Sequence, residues 1–207
     1  MKIKITIFLF SFFLLNCNLK KSFDSKKDLW NYLIEENNSY LQKKKINGYD
    51  FSLLYKPTDL LVEQELGTFN ESNLTLRKEK IKILREKFQP YMYFILSISR
   101  DNKELLSTTP KNQQEFGVML NQLAFGMREK VTLFTSKKDT IKMIDYNYQR
   151  MYGMSKSTTM LFIYPKDEKY FKSQYLNFTI QDLGTLTGEV KLKIETIKIK
   201  NQPILNL

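Results

Sequence analysis

The chain has no histidine and one cysteine, Cys17. Lacking imidazole, it can build no Ser–His–Asp triad, no HExxH zinc site and no histidine metal cluster. Lacking a second thiol, it has no disulfide framework. Carboxylates, serines, lysines and tyrosines remain, and three places bring them close in sequence. The segment YGMSKSTTM, Tyr152–Met160, ends like a phosphate-binding loop. That loop needs a second glycine before its lysine and a helix after it, so that backbone amides surround the phosphate. Here Ser155 stands at the glycine position and a β-type run follows, which predicts a glycine turn between two strands. Ser155 and Lys156 are also adjacent rather than in the S-x-x-K spacing that sets an amine against a nucleophile on one helical turn. Glu63 and Glu65, two apart, would share one face of a strand and could couple as carboxylates. Their neighbours offer nothing to bind a sugar or raise a pKa, so the pair reads as surface charge. No catalytic, cofactor-binding or metal-ligating residue is assigned.

Two further groups suit binding better than catalysis. Lys78, Lys80, Lys82, Arg85 and Lys87 make one predicted helix cationic, with Glu79 and Glu86 partly offsetting them. Such a helix is a solvated face or a face toward anionic headgroups. Tyr146, Tyr148 and Tyr152 flank Arg150, and Tyr and Arg are common interface anchors. Alternating tyrosines are also ordinary sheet packing.

The cysteine closes an N-terminal pattern. Met1–Lys4 carries two lysines and no acid, and Ile5–Leu15 is apolar apart from Thr6 and Ser11. This is the charged and then apolar layout of a secretory signal. About eleven helical residues rise roughly 16 Å, half of a ~30 Å hydrocarbon core. The run ends Leu14-Leu15-Asn16-Cys17 and resembles the lipobox of bacterial lipoproteins. Leu14 is the branched residue three before the cysteine, and Asn16 fills the position usually held by a small residue. The resemblance implies cleavage before Cys17, a diacylglyceryl group on its sulfur and acylation of the new amino group. Several acyl chains anchor stably where one binds reversibly. Asn18 is not the aspartate that holds lipoproteins in the inner membrane under the best-known sorting rule, so the implied address is the outer membrane.

The formal charge is +11. Cationic proteins meet nucleic acid, anionic membranes or acidic ligands. Here 28 lysines stand against 5 arginines, whereas phosphate readers favour the bidentate arginine fork. A lysine-coated surface with at most weak attraction to lipid phosphates is the reading, and no nucleic-acid partner is expected. With 15 Phe and 12 Tyr in 207 residues, the chain can bury a sizeable core.

The elements follow from periodicity. Ser25-x-x-Asp28 resembles a capping box and opens a helix whose face holds Leu29, Leu33 and Tyr40. Lys43–Lys45 would close that helix against its dipole, and Asn47-Gly48 would stop it. Asp50–Tyr55 reads as a strand broken at Pro57, and Leu60–Leu66 as extended or half-helical. Leu74–Lys87 is a second helix, with Leu74, Ile81, Leu84 and Phe88 on one stripe and Pro90 beyond it. Tyr91–Ser99, apolar on both faces at its start, is a central strand. Thr109 and Pro110 would begin a third helix.

Beyond Arg128 the chain reads as strands: Val131–Thr135, Thr140–Tyr146, Thr158–Tyr164, Tyr175–Gln181 and Glu189–Lys200. Leu176, Phe178 and Ile180 alternate with polar residues as in a strand solvated on one side. In the last strand Val190, Leu192 and Ile194 share one parity while Ile197 and Ile199 share the other, which predicts a bulge near Glu195–Thr196.

The expected architecture is α+β, with about three helices in the first two-thirds packed on a mainly antiparallel sheet that dominates the last third. Residues 1–16 are expected to be the signal peptide, 17–24 a lipidated tether and 25–207 one domain. The functional expectation is a lipid-anchored envelope protein of the outer membrane. It would bind or assemble with an envelope protein rather than act as an enzyme. Its rivals are a histidine-independent hydrolase and a carrier of a small apolar ligand.

Overall fold

A computed structural model describes residues 20–67 and 74–207. Cys17 and the signal pattern lie outside the described residues. The α+β class is correct, but strands are not confined to the last third. A five-stranded antiparallel sheet draws on both halves of the chain: β2 (Leu41–Ile46), β3 (Tyr49–Lys56), β4 (Tyr91–Arg100), β8 (Thr158–Pro165) and β7 (Asp145–Tyr148), in that order. A four-stranded antiparallel sheet runs β10 (Val190–Glu195), β9 (Tyr175–Ile180), β5 (Val131–Thr135) and β6 (Thr140–Ile141).

The two sheets face each other through aromatic rings. Phe178 of β9 meets Phe162 at 5.4 Å, Phe94 at 6.0 Å and Tyr164 at 6.4 Å between ring centroids. β4 is central, as its two apolar faces predict. Its inward set is Met92, Phe94, Leu96 and Ile98, all buried. β9 is not solvated on either side, since Asn177 and Thr179 are buried as well. Thr179 tolerates this because its hydroxyl donates to the Thr132 carbonyl at 3.0 Å.

The predicted first helix is cut short. α1 covers only Lys26–Ile34, and Ser25 does cap it, accepting from the Asp28 amide. Lys43–Lys45 instead belong to β2, an edge strand, where lysines deter pairing with another chain. Asn47-Gly48 is a two-residue hairpin turn with φ of 50° and 77°, the positive pair that such a turn requires. The Leu60–Leu66 region is helix α2 (Thr58–Leu66), and α3 (Leu74–Phe88) packs on it through Val62, Leu66, Ile81 and Leu84. Leu74 itself is exposed.

A short helix, α4 (Leu105–Thr108), precedes α5 (Gln113–Asn121). The cap of α5 is Asn112 rather than Thr109, with its side chain accepting from the Glu115 amide at 2.9 Å. One π-helical turn, Gln122–Gly126, joins α5 to α6 (Met127–Lys130). Beyond β10, the shift of parity marks a helix, α7 (Thr196–Lys200), not a bulge. Its period of 3.6 buries Ile199 and leaves Ile197 out.

Inside the expected tether, Ser22–Phe23 form β1 and pair in parallel with β11, Ile204–Leu205. The chain therefore enters the fold beside its own C-terminus, at the Lys56 end of β3. Asp59 secures this corner. It is 6% exposed, receives Arg85 Nε and Nη2 at 2.8 and 2.9 Å, and accepts from the Leu205 amide at 2.9 Å. Removing one member of a buried charge pair costs about 3–5 kcal/mol, and the half-exposed guanidinium reduces this. Arg85→Ala is expected to destabilise by about 1–3 kcal/mol by denaturant titration, against less than about 0.5 for Lys82→Ala on the same helix.

Candidate functional site

The residues singled out in the sequence separate in the fold. Glu63 and Glu65 lie on α2, where a spacing of two turns side chains to different sides, so they form no pair. Glu63 is ion-paired with Lys26 at 2.7 Å. On α3, at about 100° per residue, Lys78 and Lys82 fall on one flank and Lys80 and Lys87 on the other. Glu79, Glu86 and the exposed Ile83 lie between them, and Arg85 is engaged by Asp59. No single cationic face results. Tyr146 is sheet packing, stacked on Phe162 at 5.8 Å. The strand β8 after Lys156 confirms a turn rather than a phosphate-binding loop.

What the fold assembles instead is a cluster of loops at the end of the sandwich opposite β1 and β11. β3, eight residues long, separates the two ends by about 26 Å. Among the described residues eleven have positive φ, and nine of them lie in four connections at this far end. They are Asn47-Gly48, Asp101-Asn102, Tyr152-Gly153, and Gly184, Leu186 and Gly188. Backbone held in such regions costs about 1–3 kcal/mol per non-glycine residue and persists only when its surroundings impose it.

In two of these connections a carboxylate imposes it. Glu104, 2% exposed, accepts from the Gly153 and Ser155 amides at 3.1 and 3.0 Å. Asp182 accepts from Gly184, Thr185 and Leu186 amides at 2.7, 2.8 and 3.2 Å with one oxygen, and from Gly188 at 2.8 Å with the other. Burial pushes the Asp182 carboxyl up, but the four amides outweigh it and the net shift is downward. Asn47 Nδ2 adds a donor to the Thr185 carbonyl at 3.0 Å, tying this loop to the hairpin.

The clamped loops project apolar side chains into solvent. Leu186, Met154 and Tyr152 are 86%, 79% and 73% exposed. The Arg150 guanidinium sits 4.4 Å from the Tyr152 ring and 5.4 Å from that of Phe116. A groove of about 600 Å³ runs between the start of α5 and the 183–186 loop. Met119 and Leu183 are buried in its lining, Val118 and Leu186 stand exposed, and Lys111, Asn112 and Glu115 supply polar groups. An apolar floor with a polar margin is the anatomy of a protein-binding patch. Among the described residues no cluster of three acidic or cysteine side chains could hold a metal ion.

A low folded-state pKa for Asp182 means its contribution is complete above the ordinary aspartate value of about 3.9 and fades as pH falls through the lowered value. Asp182→Ala is expected to speed exchange of the Gly184, Thr185, Leu186 and Gly188 amides about tenfold at neutral pH, as loss of charge-assisted bonds at a partly solvated site would. The wild-type loop is expected to open only in acid. Unchanged exchange in the variant would show that glycine geometry alone holds the loop.

Neither carboxylate is evident from the sequence. Asp182-x-Gly184 is a common turn signature, which could have marked Asp182. Glu104 meets amides about fifty residues away, and no local pattern announces that.

No family model matches the chain, and no curated protein matches it. A solved structure of a novel protein of unknown function from Burkholderia pseudomallei K96243 is similar at a TM-score of 0.41 and 9% identity, over 82% of this chain and 85% of that one. A likeness this loose carries no residue from one chain to the other.

Proposed function

We propose that this is a lipid-anchored cell-envelope protein, a non-enzymatic binding or assembly component held on the outer membrane through Cys17. It engages an envelope protein with the loop cluster at the opposite end. The observation that carries the binding half is the pair of carboxylate clamps, which hold exposed Leu186, Met154 and Tyr152 on strained but well-bonded backbone. Preordered apolar side chains lose little freedom when a partner covers them, and that saving favours affinity. The anchoring half is supported by the lipobox-like LLNC and by the β1–β11 ladder, which makes the chain leave the domain far from those loops. Among the described residues no helix is long and apolar enough to cross a membrane.

Cys17→Ser tests the anchor. The variant is expected to accumulate as unprocessed precursor and to take up no labelled fatty acid. Labelling equal to that of the parent chain would refute lipidation at Cys17.

A further inference from the structure

We propose that the cleft between Lys20, Lys166 and Lys200, where the chain enters the fold, binds a phosphate-bearing anion. Two adjoining hollows share these three lysines and Gln89. The inner one, about 260 Å³, reaches past Arg85, Thr58 and Gln202; the outer opens past Glu86 and Glu168. Since one water occupies about 30 Å³ of liquid, the inner hollow holds a phosphate with a short ester arm.

The charges around the cleft are unevenly answered. Arg85 is occupied by Asp59. Lys200 reaches Glu168 at 3.7 Å, and Glu86 lies at the outer hollow. Lys20 and Lys166 form no ion pair among the described residues. Lys166 is half-buried, and burial, together with the nearby Lys20 charge, disfavours its ammonium form, with Glu168 opposing. An anion seated between the two lysines supplies the missing counter-charge, and lysine binds phosphate in this manner, as a point charge.

The cleft is built rather than incidental. The Ile204 amide donates to the Lys21 carbonyl at 2.9 Å, fixing the backbone next to Lys20, and the Lys166 amide donates to the Pro90 carbonyl at 2.8 Å. Lys20 is three chain steps from Cys17, a span of at most about 10 Å. If the anchor proposed above is correct, headgroup phosphates of the same leaflet come within reach. The phosphate chemistry of the cleft does not depend on that anchor.

The test is lysine footprinting of the full chain in a neutral glucoside detergent, with an amine-acylating reagent and mass spectrometry, at constant ionic strength. One arm exchanges chloride for millimolar inorganic phosphate, and the other adds phosphatidylglycerol to the micelles. Lys20 and Lys166 are expected to react several-fold more slowly with the anion, while Lys156, at the far end, is unchanged. Protection by inorganic phosphate in the first arm identifies free phosphate as sufficient; protection in the lipid arm alone identifies the headgroup. Lys166→Arg should keep the protection of Lys20 and Lys166→Gln should lose it. Should Lys166→Gln fail to fold, Lys20→Gln, at an exposed position, should lose the protection of Lys166. No protection in either arm, or equal slowing at Lys156, overturns the site.

Discussion

Ile194→Asp is expected to abolish cooperative unfolding, whereas Ile197→Asp, three residues on, is expected to change stability by less than about 0.5 kcal/mol. Ile194 is 0% exposed in β10, with Leu176 opposite it in β9, and Ile197 is 45% exposed on α7. The first substitution forfeits about 1.5–3 kcal/mol of buried side chain and adds several kcal/mol for an unpaired carboxylate in the core. Typical domain stability is only 5–15 kcal/mol. Thermal melts by circular dichroism would check both. Equal damage from the two variants would mean that both isoleucines face the core, as a strand bulged near Glu195–Thr196 and not the helix α7 would place them.

Phe178→Ala is expected to cost about 3–5 kcal/mol. Phe178 is 0% exposed, and its ring contacts Phe94, Phe162 and Tyr164 across the gap between the sheets. Alanine would remove the edge-on ring contacts as well as the burial and leave a void that three large aromatics cannot easily collapse into. Urea unfolding should show a lower midpoint at unchanged slope. A loss below about 1 kcal/mol would place the sheet contact elsewhere.

The sequence was legible where periodicity had one interpretation. Both apolar faces of Tyr91–Ser99 made a central strand, Pro57 and Pro90 ended elements where they stand, and Leu74–Lys87 was a helix. It misled where one composition suits two structures. Lys43–Lys45 followed by Asn-Gly reads as a cationic helix end with its stop, or as an edge strand with its hairpin turn. Only the partner strand β3, with Leu41 opposite Leu54 and Ile46 opposite Tyr49, decides between them. Likewise Ile194 and Ile197 differ in parity whether a strand bulges or yields to a helix. The loop cluster was hard to read because its clamps are carboxylates bonded to backbone amides: Asp182-x-Gly184 leaves only a common turn signature, and Glu104 meets amides about fifty residues away. Of the groups that stand out by residue type, the Tyr152–Met160 segment and Arg150 belong to it.

The proposed arrangement sets the Cys17 anchor and the loop cluster at opposite ends, and position-specific crosslinking in intact cells separates the two. A photoreactive side chain at Met154 is expected to yield a discrete crosslinked protein that disappears when Leu186→Asp is added. The same group at Ile197, exposed toward the β1–β11 end, is expected to yield none. Crosslinks from Ile197 but not Met154, or a Met154 product indifferent to Leu186→Asp, would contradict the account.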